Sequence, residues 1–278
     1  MAGLKRISNT FFSYAFVLFM SLIVVAPILI LVIASFKTRT EFVHSSVLAL
    51  PKEWTFSNYL SVVDRANLLT AFQNTAIVTV VSVVLNVLLG STFAYALGRF
   101  RFRGRKIILA MVMGANIIPT VTTQVAVFTI IRSLGLFNTL GSAILLYAST
   151  DVVQVILYQQ AIDNIPRSLD ESVMIDGGSF FQIFTRIIFP LLKPATMTVV
   201  ILKIVAIYND MYIPYLYMPS VKLQVVSTSL MKFCSSNYGS QIPMLSTAFI
   251  VVMLPILIIY IFFQRMLFGG ITTGAVKE

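Results

Sequence analysis

Lys203 and Asp210 are the charged residues inside an apolar run at 195–218, seven positions apart and so nearly on one face of a single helix. Charge at membrane depth is costly and normally faces a bundle interior or a wet cavity. Tyr208, Asn209 and Tyr212 flank Asp210, so the cluster offers donors, acceptors and aromatic faces suited to a polar solute. The same side chains could instead bond helix to helix, and the residues alone leave both roles open. Asp151 reads as an interfacial residue near the start of an earlier apolar run. Asn116, Thr120, Thr122, Thr123 and Gln124 read as interhelical hydrogen-bonding groups.

A second polar group, residues 162–194, sits between apolar runs. Pro166, Ser168 and Glu171 carry the signature of a helix start with a capping box. Gly177-Gly178 supplies the backbone freedom of a sharp reversal, and Ser179 with Gln182 forms a second box. Phe180, Phe184, Ile187 and Ile188 then share one helical face, and Pro190 marks its far boundary. A capped helix–turn–helix between membrane-like runs is suited to presenting a surface.

Enzymatic chemistry finds no support. A G-x-x-x-x-G-K-[ST] phosphate loop is missing, since Gly269 and Gly274 have the glycine spacing but Ala275 follows. The single Cys234 rules out an internal disulfide and a cysteine-cluster metal site, and the single His44 rules out a multi-histidine site. No cofactor is expected on this chain, and any ATP it depends on would be bound by another subunit.

The elements that position these residues follow from composition. The chain is 58% hydrophobic and 11% charged, where a soluble domain carries roughly a quarter charged residues. With a mean hydropathy of +0.92 it reads as an all-α, multi-pass membrane protein. The net charge of +10 suits an anionic lipid surface. Nucleic acid is a poor partner, because the basic residues sit between apolar spans. Six spans are expected, near 11–36, 69–97, 107–131, 142–161, 195–218 and 244–268, in one transmembrane domain covering 1–278. Lys5 and Arg6 precede the first span, and Arg99, Arg101, Arg103, Arg105 and Lys106 fill the second-to-third link with no acid. That bias places both termini and the 162–194 loop in the cytoplasm.

Glu171 to Pro190 resembles the EAA loop of permease subunits of binding-protein-dependent ABC importers: E-A-A, three residues, G, nine residues, then I-x-L-P. Glu171, Gly177, Ile187 and Pro190 hold their places, while Ser172-Val173 replaces the alanines and Phe189 the leucine. Further stretches are similar to the carbohydrate-uptake type 1 group, on the maltose-permease G-subunit side. These are Asn74-Thr75 through Ala94 to Gly104, Leu134 to Thr139, Tyr208 to Tyr212 (tyrosine where tryptophan is usual) and Thr273 to Lys277. The resemblance implies a sugar importer in which two permeases, here a heterodimer, form the pore. Two ATPase subunits using ATP and Mg would dock on the loop through Glu171, Asp176, Gly177, Gly178, Phe180, Phe181, Phe184, Ile187 and Pro190. An extracellular binding protein would deliver the sugar, and Lys203, Tyr208, Asn209, Asp210 and Tyr212 would lie on its path. A secondary transporter or channel for a polar solute is the alternative, although it leaves the capped loop without a partner.

Overall fold

Apolar runs too long for a soluble core dictate long helices, because lipid offers backbone groups no partner outside the helix. The computed structural model describes the backbone of residues 2–234 and 242–275, and the side chains of 12–119, 121–231, 233 and 242–264. Lys5, Arg6, Cys234 and the match from Thr273 to Lys277 therefore fall on side chains outside the described residues. Among the described residues regular structure is helical throughout. Among these residues three helices are long and apolar enough to cross a membrane: Phe12–Ser35 of α1 (Ala2–Ser35), α4 (Leu68–Arg99), and Ile242–Gln264 of the helix Ile242–Ala275. Two bent pairs raise the number to five if each is one span.

The chain divides into two compact units, residues 1–68 with 229–255, and residues 69–228 with 256–278. In the first, α1 exposes apolar side chains on all sides from Phe12 to Val25, the surface of a helix solvated by hydrocarbon. The long link after it has structure of its own, α2 (Arg39–His44) and α3 (Ser57–Arg65). Thr38 caps α2 by accepting from the Glu41 amide. Phe36 packs against Trp54, Phe56 and Tyr59. Lys37 is fully buried, donating to Ser45 Oγ at 3.1 Å and to the Ser46 carbonyl at 2.9 Å. Asn58 Nδ2 donates to the carbonyls of Ser35 and Lys37, which closes the link on itself.

The second unit holds the functional candidates. Its core runs from Val78 and Tyr95 of α4 through Tyr147, Tyr158 and Ile162 to Ile183, Ile188, Val199 and Ile207. The expected third span is two helices, α5 (Arg105–Ala115) and α6 (Thr120–Ser133), parted just before Pro119 and its N-terminal neighbours. The fourth is α7 (Leu140–Ala148) and α8 (Val152–Asp163), bent by 44° at Ser149-Thr150-Asp151. Asp151 is thus midway along this element, not at its start as expected. The fifth also differs: α12 (Lys193–Asn209) stops at Asn209, and α13 (Tyr212–Tyr217) restarts beyond an extended Asp210.

Candidate coupling surface and solute path

The 162–194 segment folds as a helix–turn–helix. Its first helix, α9 (Ser168–Ile175), has Arg167 at the N-cap, and no side chain caps it. The expected Ser168–Glu171 box does not form, because Ser168 is already inside the helix and its carbonyl accepts from Ser172 Oγ. Gly177 takes φ +78°, a left-handed conformation that side chains disfavour. The Gly178 amide reaches the Val173 carbonyl at 2.8 Å and the Gly177 amide that of Met174 at 3.1 Å, the double bond of a Schellman turn. The two glycines serve different ends. A Cβ on Gly177 meets open space, whereas one on Gly178 collides with Val173.

Ser179 and Gln182 form the expected reciprocal box at the start of α10 (Phe180–Ile183). A wider π turn, Phe184–Ile188, follows and leads into α11 (Phe189–Leu191). The helix therefore passes through Pro190 and ends one residue later. A π turn just ahead of proline eases the clash between its ring and the preceding turn. Because of the widened turn, Ile183 and Ile188 are fully buried and Phe184 nearly so, while Phe180 stays half exposed.

The segment is pinned to the end of α4. Arg99 Nε lies 2.9 Å from Asp170 Oδ2, both side chains being about nine-tenths buried. The Arg99 guanidinium also donates to the Ile165 carbonyl at 2.9 Å, and that of Arg167 to the Gly98 carbonyl at 3.4 Å. Tyr95 OH donates to the Phe180 carbonyl, and the rings of Phe184, Tyr95, Phe100 and Phe180 pack in that order, tilted or edge to face. Burial pushes the Asp170 carboxyl up, against the pull of Arg99 and Arg167 and with a smaller push from Glu171. Desolvation outweighs attraction here, so the pair fixes geometry more than it adds stability. Facing outward are Glu171, Met174, Ile175 (85% exposed), Asp176 and Phe181 (74% exposed). An apolar surface rimmed by acids on a braced turn is poorly explained without a partner.

Lys203 and Asp210 do not share a site. Lys203 Nζ lies 3.5 Å from Asp151 Oδ2, whereas Asp210 turns out of the helix. One Asp210 oxygen accepts the Tyr147 hydroxyl at 2.8 Å. The other accepts the amides of Tyr212 at 2.7 Å and Ile213 at 3.4 Å, which starts α13. Asn209 Nδ2 bonds its own helix at Val205, and Tyr212 is exposed. Tyr208 borders a narrow cleft with Thr75, Tyr147 and Ser227. Asn74 Nδ2 donates to the carbonyls of Lys222 and Gln224, and Thr75 Oγ1 accepts the Val226 amide. The Asn138 amide donates to the Tyr217 carbonyl, and its Oδ1 accepts from the Ser220 amide. Residues 210–228 are thus held by Asn74-Thr75, Asn138 and Tyr147, from stretches far apart in sequence. Arg99, Asp170, Tyr147 and Asp151 were not expected at these sites. Only their position next to a helix break or a span end signals them.

The long apolar helices and the two bent pairs define a multi-pass membrane protein. The chain belongs to the family of binding-protein-dependent transport system inner membrane components, whose family model matches residues 86–272. It is 34% identical over 262 residues to the probable starch degradation products transport system permease protein AmyC of Thermoanaerobacterium thermosulfurigenes, covering 93% of this chain and 94% of that one. It is 31% identical over 253 residues to the melibiose/raffinose/stachyose import permease protein MelC of Bacillus subtilis, covering 90% and 91%. A chain of a bacterial ABC transporter importing the acidic polysaccharide alginate shares the fold, with a TM-score of 0.82 at 23% identity over 94% of this chain and 96% of that one. The protein is therefore a membrane-embedded permease component of a binding-protein-dependent transport system.

Proposed function

We propose that this permease pairs with a second permease subunit to form the pore of an ATP-driven importer for a sugar or oligosaccharide. An extracellular binding protein delivers the solute, and two separate ATPase subunits bind ATP and Mg. The α5–α6 pair serves as the third of six spans, which puts both termini and residues 162–194 in the cytoplasm. The braced helix–turn–helix is the ATPase-docking EAA loop. The observation carrying this reading is that Glu171, Ile175, Asp176 and Phe181 face outward from a turn held on α4 by the sealed Arg99–Asp170 pair. The sugar assignment is supported by AmyC and MelC, whose names specify starch degradation products and melibiose, raffinose and stachyose.

ATP-driven closure of the ATPase dimer would move the loop as one body and turn the pore outward. Hydrolysis would reset it. Reconstitution of the full complex in vesicles tests this reading. Uptake of labelled oligosaccharide is expected only with binding protein outside and ATP inside. Uptake without ATP, driven by an ion gradient, would point to a secondary transporter instead.

A further inference from the structure

Ser149-Thr150-Asp151 breaks the α7–α8 pair beside a cavity of about 330 Å³, within the range of small-molecule sites. Asp151, Gln154 and Lys203 line it among apolar neighbours that include Val153, Leu157 and Leu202. Two features mark its polar end as available to a ligand. Asp151 Oδ1 caps α8 through the Gln154 amide at 2.8 Å, yet the carboxylate side chain stays 47% exposed. Lys203 Nζ has three protons to donate, and its contacts are long, 3.5 Å to Asp151 Oδ2 and 3.4 Å to the Ser149 carbonyl. A charge-assisted bond is ordinarily 2.7–2.9 Å or so. Gln154 closes the floor: it is 2% exposed, its Nε2 donates to the Asn86 carbonyl, and its amide is lodged against Gly90 of α4.

We propose that Asp151 and Lys203 form a hydroxyl-binding subsite on the translocation path, which rests on the sugar reading above. A sugar hydroxyl can donate to the Asp151 carboxylate while accepting from the Lys203 ammonium, replacing two long contacts by two short ones. The apolar walls at Val153, Leu157 and Leu202 meet the C–H faces of the ring. Neutral, polyhydroxylated solutes fit this arrangement. The paired charges neither attract nor repel such a solute, and the half-open carboxylate holds it loosely enough to release it.

The test uses the complete importer in vesicles, with Val153→Cys in a Cys234→Ala background and a membrane-impermeant thiol reagent. Raffinose, stachyose and linear starch oligosaccharides serve as probes. Labelling at position 153 is expected, and it should slow by about tenfold during turnover with a probe the importer takes up, the weight of one charge-assisted hydrogen bond. Asp151→Asn, which still caps a helix, should assemble at wild-type yield and lose uptake by a similar factor. Labelling that is absent, or indifferent to a transported probe, overturns the subsite alone. Failure of the wild-type importer to take up any oligosaccharide overturns the sugar reading and the subsite with it.

Discussion

Among the described residues of the second unit, two ion pairs bridge helices, and they are built in opposite ways. Arg99 and Asp170 meet at 2.9 Å with side chains 7% and 11% exposed, and Arg99 also holds the Ile165 carbonyl. Lys203 and Asp151 meet at 3.5 Å with side chains 14% and 47% exposed, beside a cavity. The first pair borders a cavity too, of about 300 Å³, but its short, buried contact and the bond to Ile165 commit its charges to the 162–194 turn. The second keeps its charges within reach of a solute. The contrast teaches that an internal charge in a membrane protein is read best from the closure of its own pair and not from its depth. A short, buried pair braces a turn, and a long, half-exposed pair stays open to a ligand.

Substitutions at each pair can break or sharpen this contrast. Arg99→Ala has the largest expected effect, because it strands Asp170 in a buried site at a cost of about 3–5 kcal/mol. Limited proteolysis of the purified permease should then cut within residues 162–194, and wild-type resistance would show that the pair braces nothing. Gly177→Val comes next, at roughly 1–2 kcal/mol for a side chain forced into a left-handed conformation. The turn should reshape without unfolding the permease. Stimulation of ATP hydrolysis by sugar-loaded binding protein is expected to disappear, and normal stimulation would show that the turn tolerates a side chain. Lys203→Gln is the mildest. Asp151 keeps its exposure and its role as a cap, so assembly should change by no more than about 1 kcal/mol. A loss of assembled complex as large as that of Arg99→Ala would erase the distinction between the two pairs.

Local signals made the 162–194 turn legible in sequence. Gly177-Gly178 and the Ser179–Gln182 box need only neighbours within a few residues, and both stand in the structure as read. Ser168 shows the limit of such signals. Its box has the right spacing, but the helix begins one residue earlier, with Arg167 at the cap. The breaks at Asp151 and Asp210 were hidden for a different reason. Asp151 caps the helix that follows and Asp210 accepts the first amides of the next, and each is held by a distant side chain, Lys203 or Tyr147. The apolar runs on either side outweigh these short polar dips, so the expected spans 142–161 and 195–218 appeared continuous. For the same reason Lys203 and Asp210 looked like partners on one face, although the chain leaves the helix between them.

Docking of the ATPase on the exposed face of residues 162–194 is the central claim, and Glu171→Lys tests it most directly. Glu171 is exposed and makes no bond within the Arg99–Asp170 pair, and reversing its charge removes only its small push on the Asp170 carboxyl, so the brace should hold. The measurement is recovery of a tagged ATPase with the permease after solubilisation, alongside the amount of permease inserted in the membrane. Docking through this face requires the ATPase to be lost while insertion stays at the wild-type level. Recovery of the ATPase at wild-type yield would contradict it.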